Sequence, residues 1–324
     1  GFLRFPNLNL EQNPSLTTLA IESELSLISF CIFGVIDMRK SSIPSAVLLA
    51  LSLAAAVGGF FVRRAQLATE LLADGSLAAG SRLHIVLTIV AAVFALASAA
   101  LLFPLEKRRC WRSFFRSSPA LQLPLMIAAV LLAVGNVMLL QQRAEPVEAF
   151  TQSPALANTL SALVAPLGIL SGVCFAVAGF FCLSQKKPSP ALYMLACLYP
   201  IVRLVSCFQA WNTDPSIHDY CYQLLAAICT MLTFLQLGGF CFDKGRRRIT
   251  LFWALCGIVF NGFSLADALN GGEAATPLVT VSLLLILLTN AVMLLFPDAS
   301  APAEPQPVAG QPNSEESNEE EETT

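Results

Sequence analysis

The stretch Leu195–Trp211, "LACLYPIVRLVSCFQAW", is apolar over nearly its whole length and carries one charged residue, Arg203. It belongs to an apolar run, residues 189–211, of the length that crosses roughly 30 Å of hydrocarbon as an α-helix. A charge at mid-depth costs at least about 2.5–3.5 kcal/mol unless it is paired or hydrated. The stretch therefore predicts a membrane-spanning helix that contains a polar site.

The rest of the chain has the same character, with 56% hydrophobic and 13% charged residues and a mean hydropathy of +0.67. Soluble domains carry about 25% charged residues. The long apolar runs lack the alternation of barrel strands, so we predict an all-α, polytopic transmembrane bundle of about eight helices. The predicted helices cover about residues 43–62, 83–104, 120–140, 156–183, 189–211, 220–242, 249–269 and 277–296.

Three segments are expected along the chain. The first methionine, Met38, precedes two bases and a long apolar run, so residues 1–37 are expected to be a non-native or disordered extension and the native chain to start at Met38. A genuine interfacial segment and a cleaved signal peptide stay open as alternatives. Residues 38–296 form the predicted transmembrane domain. Residues 297–324 hold eight acids and no base and predict a disordered tail.

The distribution of basic residues predicts the orientation, because lysine and arginine concentrate in cytoplasmic loops. With eight helices and a cytoplasmic N-terminus, the inner segments hold 13 bases and the outer loops four, namely Arg63, Arg64, Arg82 and Arg143. Both termini are therefore expected in the cytoplasm. The same rule explains the basic loops, so no nucleic-acid partner is predicted.

Polar side chains gather in the outer half of the later helices, whereas helices one and two are expected to carry nothing comparable. The predicted ligand-binding set is Arg203, Tyr222, Gln223, Asn261, Ser264 and Asp267. Arg203 lies eight residues below Trp211, roughly 12 Å of helix rise, and its side chain can reach outward. Asp267 and Asp219 are the predicted counter-ions.

Two interpretations of Arg203 remain open. In one, its guanidinium binds a small polar or anionic ligand in an outward-open pocket. In the other, it reaches the interface or forms a structural salt bridge between two helices. Pro200, which cannot donate to the Ala196 carbonyl, predicts a kink one turn below it.

Several function classes find no support in the sequence. All five lysines flank helices, which excludes an opsin-like protein, and no phosphate-binding loop, metalloprotease helix or nucleophile elbow occurs. No nucleophile–base pair, metal-ligand spacing or internal repeat is visible, so neither a catalytic residue, a metal nor a cofactor is predicted.

The segments "YPIVRLV" (199–205), "SIHDYCYQLLAAICTMLTFLQLGGFCF" (216–242) and "KGRRRITLFWAL" (244–255) give the chain a resemblance to a known group. Over roughly residues 190–270 it resembles uncharacterised multi-pass membrane proteins of Firmicutes. The resemblance implies the bacterial plasma membrane and no particular chemistry.

The leading functional hypothesis is outward-facing binding of a small molecule, for transport or sensing. The alternative is a non-catalytic scaffold or regulator of a partner membrane protein. The oligomeric state is left open.

Overall fold

A computed structural model of the chain describes residues 43–70, 81–103, 105, 111–115, 119–142, 154–211, 221–270 and 274–296. These residues form helices and no strand, which confirms the all-α prediction. The helices are α1 (Ile43–Thr69), α2 (Arg82–Leu102), α3 (Arg112–Phe115), α4 (Pro119–Gln142), α5 (Pro154–Leu183), α6 (Pro190–Trp211), α7 (Cys221–Cys241), α8 (Arg247–Asn270) and α9 (Ala275–Leu295). The predicted N-terminal extension and acidic tail lie outside the described residues.

Within the described residues, eight helices are long and apolar enough to cross a membrane, all except the short α3. The chain is therefore an integral, multi-pass membrane protein. We name the two faces of the bundle after residues that lie there. The Trp211 end is the end at which α6 and α8 finish, and the Asp243 end is the opposite one.

Seven of the eight predicted spans match the observed helices to within two residues at each end. The first does not, because α1 continues to Thr69 instead of ending near residue 62. Arg63, which was predicted to lie in an outer loop, is therefore part of a transmembrane helix and only 2% exposed.

Six helices form a closed ring. Each helix from α4 to α9 packs on the next one along the chain, and α9 packs on α4. Helices α1 and α2 lie outside this ring against α8. The helices differ in how much of them is buried. In the most apolar 18-residue segment of each helix, 78% of α9 and 72% of α8 are buried, against 22% of α2. The last two spans are therefore the core of the bundle.

Helix α1 docks on α8 through a face that repeats every three or four residues. Its buried positions are Ser45, Leu48, Leu49, Ser52, Ala56, Gly59, Arg63 and Gln66. Small residues on this face let the two backbones approach closely. A Cβ added to Gly59 would lie 1.7 Å from Cε1 of Phe263, and one added to Gly262 would lie 3.0 Å from the Ala56 carbonyl oxygen.

Two short turns at the Asp243 end have the same backbone conformation. Helix α5 is followed by Gln185 with φ 58° and α7 by Asp243 with φ 55°, and in each case the next amide donates back across the last turn. Such left-handed residues end helices and satisfy their last carbonyls. The Asp243 carboxylate also accepts hydrogen bonds from Lys187 Nζ at 2.6 Å and from the Trp111 amide at 3.0 Å. Asp243 therefore ties three segments together at this end.

Two arginines at the start of α8 satisfy other carbonyls of the same end. Arg247, 5% exposed, donates from Nε to the Leu294 carbonyl oxygen at 2.8 Å, at the end of α9. Arg248 donates from Nε to the Leu105 carbonyl oxygen at 2.7 Å. A cation at a helix C-terminus is favourable because the last carbonyls have no partner within the helix. These two bases therefore have a structural role.

The close contact between α1 and α8 makes a matched pair of predictions. Gly59→Ala forces Phe263 to move, and overpacking of this kind costs about 1–3 kcal/mol. Gly58→Ala is the control, because a Cβ there meets nothing within 4 Å and alanine favours the helix. We expect a lower melting temperature in detergent for Gly59→Ala and an equal or higher one for Gly58→Ala. Equal melting temperatures of the two variants would contradict the docking geometry.

Candidate functional site

A buried ion pair joins α1 to α8 near the Trp211 end. Arg63 Nε donates to Asp267 Oδ1 at 2.7 Å, and the two side chains are 2% and 9% exposed. The pair lies one turn beyond the contact between Gly59 and Phe263 on each helix, so the glycine contact sets the spacing that the pair requires. Asp267 thus forms its ion pair with Arg63 and not with Arg203, the partner that the sequence predicted.

The same arginine begins a hydrogen-bonded chain toward α2. Arg63 Nη1 donates to Gln66 Oε1 at 2.9 Å, and Gln66 Nε2 donates to the Ser81 hydroxyl at 2.9 Å. The Ser81 hydroxyl also accepts from the His84 amide at 3.1 Å, as the N-cap of α2, and donates to Glu70. These contacts fix the start of α2 against the end of α1.

Tyr222 of α7 completes this group of side chains. The Arg63 guanidinium carbon lies 5.3 Å from the centre of its ring, within the range of a cation–π contact. The Tyr222 hydroxyl and His84 Nδ1 are 3.3 Å apart, and the ring packs edge-on against Phe263. We call Arg63, Gln66, Ser81, His84, Tyr222 and Asp267 the Arg63 cluster. It joins α1, α2, α7 and α8.

The sequence reasoning missed this cluster because it treated Arg63 as a loop residue and expected little from helices one and two. A signal was present in the chain. Arg63 and Gln66 continue the three- and four-residue spacing of Ala56 and Gly59, which places them on the same face of one helix. The charge interrupts the apolar run but does not interrupt the periodicity.

Arg203 lies elsewhere, on the ring-facing side of α6. It is half-buried, and its guanidinium lies beside the side chains of Tyr199 and Cys207, one turn away on either side. The described residues include three carboxylates, Glu70, Asp243 and Asp267, and none lies within 4 Å of Arg203. Asp219, the other predicted counter-ion, lies outside the described residues, so that pairing stays a prediction.

A small recess, with room for about one water molecule, lies beside Arg203 inside the ring of α4–α9. Four of the six predicted site residues line it, namely Arg203, Gln223, Asn261 and Ser264. Tyr222 and Asp267 do not, and belong to the Arg63 cluster. The other lining residues are Tyr199, Pro200, Ala226, Ala227, Thr230 and Leu283. We call this space the Arg203 recess.

The chain creates the recess by placing small side chains opposite a long one. Ala226 and Ala227 on α7 face α6 at the level of Arg203 and leave the room that the guanidinium borders. Pro200 occurs inside α6, which nevertheless runs unbroken from Pro190 to Trp211. Because proline has no amide donor, the Ala196 carbonyl, two turns below Arg203, loses its helical partner.

Two polar side chains of the recess are fixed across α7 and α8. Asn261 Nδ2 donates to the Gly257 carbonyl oxygen at 2.8 Å and to the Thr230 hydroxyl at 3.4 Å. The Thr230 hydroxyl in turn donates to the Ala226 carbonyl oxygen at 2.7 Å. These side chains hold the two helices in register. The guanidinium of Arg203 is the charged group of the recess.

Comparison with protein-family models, with curated proteins and with solved structures finds no match for this chain.

The two sites differ in what they can do chemically. The Arg63 cluster pairs its cation with a carboxylate and supports packing. The Arg203 recess joins a cation to amide and hydroxyl groups around a space, which is the pattern of a site for a small polar or anionic molecule. No three His, Cys, Asp or Glu side chains converge in the described ranges.

The ion pair gives a second matched prediction. Arg63→Leu leaves Asp267 buried without its cation, and breaking a buried pair costs about 3–5 kcal/mol. We expect a large fall in melting temperature in detergent, and a substantial recovery in the double variant Arg63→Leu with Asp267→Leu, which removes both charges. The control is Arg64→Leu, because Arg64 is exposed. A single variant as stable as Arg64→Leu would show that the pair does not hold α1 to α8.

Proposed function

We propose that this integral membrane protein binds a small anion in the Arg203 recess and uses the binding for transport or sensing. The observation that carries the proposal is the guanidinium of Arg203, which borders a polar recess and has no carboxylate within 4 Å among the described residues. A cation in a low-dielectric region requires a counter-charge or water. An anion in the recess supplies the counter-charge.

The geometry favours a small ligand. In this structure the recess has room for about one water molecule, far less than a site for a drug-sized molecule, so a ligand of several atoms enters only when the lining side chains move apart. A planar guanidinium binds a carboxylate or a similar oxyanion through two parallel hydrogen bonds. Gln223 adds an amide at the same level. We therefore propose a short carboxylate or an inorganic oxyanion as the ligand, because it requires the smallest widening of the recess.

The proposal places the Trp211 end on the outer side of a bacterial plasma membrane, with both termini in the cytoplasm. The excess of bases in the segments at the Asp243 end supports this orientation. The resemblance to multi-pass proteins of Firmicutes supports the choice of membrane. The recess then lies in the outer half of the bundle.

Thermal stability in detergent tests the ligand. A ligand that binds only the folded protein stabilises it by about 2.7 kcal/mol at a hundred times its dissociation constant. We expect acetate to raise the melting temperature and acetamide, its neutral isostere, to have no effect at the same ionic strength. Nitrate serves as a second planar anion. A wild-type protein that responds equally to acetate and acetamide would contradict anion binding.

Variants at the recess separate specific binding from a general salt effect. Arg203→Leu is expected to abolish the acetate response. Arg203→Lys keeps the charge but loses the paired hydrogen bonds, and one charged hydrogen bond of about 1.5–3 kcal/mol corresponds to at least about tenfold weaker binding. Arg64→Leu is expected to retain the wild-type response. If Arg203→Leu responds fully, a scaffold role becomes the leading interpretation.

Thiol labelling tests access and orientation together. In a variant with Cys207→Ser and Cys221→Ser, Gln223→Cys is expected to react with a membrane-impermeant maleimide added outside intact cells. Leu225→Cys is the control, because Leu225 lies on the opposite face of α7 and is exposed where the lipid is expected. Protection of Gln223→Cys from outside would contradict an outward-open recess.

A further inference from the structure

The interior of the α4–α9 ring changes character along its length. At the level of the Arg203 recess it is polar. Beyond it, toward the Asp243 end, aromatic side chains fill the ring. Farther along the same direction, polar side chains return. This order of polar, apolar and polar groups lies inside a closed ring of helices and not on its lipid-facing surface.

The aromatic level is formed by Phe175 of α5 and Phe234 of α7. Their ring centres are 4.5 Å apart, and the side chains are 1% and 0% exposed. Helix α6 separates α5 from α7 in the ring, so this contact crosses the ring interior. Phe175 also packs edge-on against Tyr193 of α6 at 5.8 Å. Phe234 lies four residues, roughly 6 Å, beyond Thr230 of the recess.

Two amide side chains lie on the Asp243 side of this aromatic level. Asn290 of α9 is seven residues, roughly 10 Å, beyond Leu283 of the recess and on the same face of that helix. Gln122 of α4 lies one turn farther along, where its Nε2 is 3.3 Å from the Met293 sulfur. Both amides are 1% exposed.

The oxygens of these two amides are buried and accept no hydrogen bond within the described part of the chain. The atoms are Gln122 Oε1 and Asn290 Oδ1. An unsatisfied buried acceptor costs about 1–3 kcal/mol, so native structures rarely keep one without a reason. Asparagine and glutamine in the interior of an apolar ring are costly in this closed arrangement. They become favourable if water or a polar ligand reaches them in another arrangement.

We propose that the α4–α9 ring encloses a transport path, closed in this structure by the contact between Phe175 and Phe234. The Arg203 recess is the entrance of the path from the Trp211 end, and Gln122 and Asn290 line its continuation toward the Asp243 end. This proposal rests on the proposed function and deepens it, because it selects transport over sensing.

The helix that carries Phe175 is suited to move. Pro166 lies inside α5, so one hydrogen bond of its backbone ladder is missing. Glycines bring α5 close to α4, and a Cβ on Gly172 would lie 2.6 Å from the Ala129 carbonyl oxygen. Farther along the same contact, Met126 of α4 packs over Gly179. A bend of α5 at Pro166 moves Phe175 relative to Phe234 and opens the closed level.

Iodide flux into proteoliposomes tests the path. The protein is reconstituted with an entrapped halide-sensitive dye, and external iodide quenches the dye as it enters. Phe175→Ala with Phe234→Ala removes the barrier and is expected to raise the rate of quenching severalfold over wild type. Phe180→Ala is the control, because Phe180 lies on α5 with 60% of its surface exposed. Adding Arg203→Leu to the open variant is expected to lower the iodide flux.

A folded, monodisperse double variant with the flux of wild type would overturn the path. If acetate still stabilises wild type through Arg203 in that case, the proposed binding function stands and the protein is a sensor. If the double variant conducts iodide while acetate has no effect on wild type, the path stands and the proposed anion site fails.

A second measurement needs no change at the aromatic level. Asn290→Cys, in otherwise unchanged protein, is expected to react with a charged methanethiosulfonate reagent that is added on the Asp243 side of oriented vesicles. Val292→Cys lies on the opposite face of α9, is equally buried and is expected to remain unreacted. Equal protection of both cysteines overturns the proposed continuation of the path, whether or not the double variant folds.

Discussion

Lipid hydrocarbon offers no hydrogen bonds, so each charge and each free carbonyl of this bundle must find its partner inside the protein. That constraint explains the buried long-range polar contacts near both ends of the bundle. Asp267 accepts from Arg63 across the contact between α1 and α8. Arg247, 5% exposed, satisfies the carbonyl of Leu294 at the end of α9. In each case a polar group fixes the relative position of helices that apolar packing alone would leave free to slide.

The same constraint separates what could be predicted from the sequence and what could not. Run length alone located the spans, because only a helix of about 20 residues satisfies its backbone across the bilayer. It failed at Arg63, because the adjacent Arg63 and Arg64 lower the local hydropathy and were assigned to a loop. Whether a charge ends a helix or lies within it depends on a partner, and Asp267 is about two hundred residues away in the chain. The local spacing of Gly59, Arg63 and Gln66 indicates one continuous helix face, but it does not identify Asp267 as the partner.

The predicted site residues were also only partly grouped correctly, because the sequence does not show which helices are neighbours. Arg203, Gln223, Asn261 and Ser264 line one recess, as their spacing along three helices indicated. Tyr222 is adjacent to Gln223 in sequence but points to a different neighbour, because successive residues of a helix are separated by about 100°. Depth in the membrane could be estimated from residue counts. Which neighbouring helix each polar side chain contacts could not be predicted without knowing how the helices are arranged.

Arg63 and Arg203 therefore form an internal comparison. Both are arginines in the half of the bundle nearest the Trp211 end, and both are expensive in a low-dielectric region. Arg63 has a carboxylate, an amide and an aromatic ring arranged around it, and its charge is neutralised by the fold itself. Arg203 borders the small recess and the side chains of Tyr199 and Cys207, and no carboxylate in the described part of the chain lies within 4 Å of it. A chain that needed only to hold α6 in place would be served by an apolar residue at this position, since a hydrophobic side chain of similar volume packs at no electrostatic cost. The electrostatic cost of a guanidinium beside the recess would be offset by the proposed anion or by the carboxylate of Asp219, which is the other predicted partner.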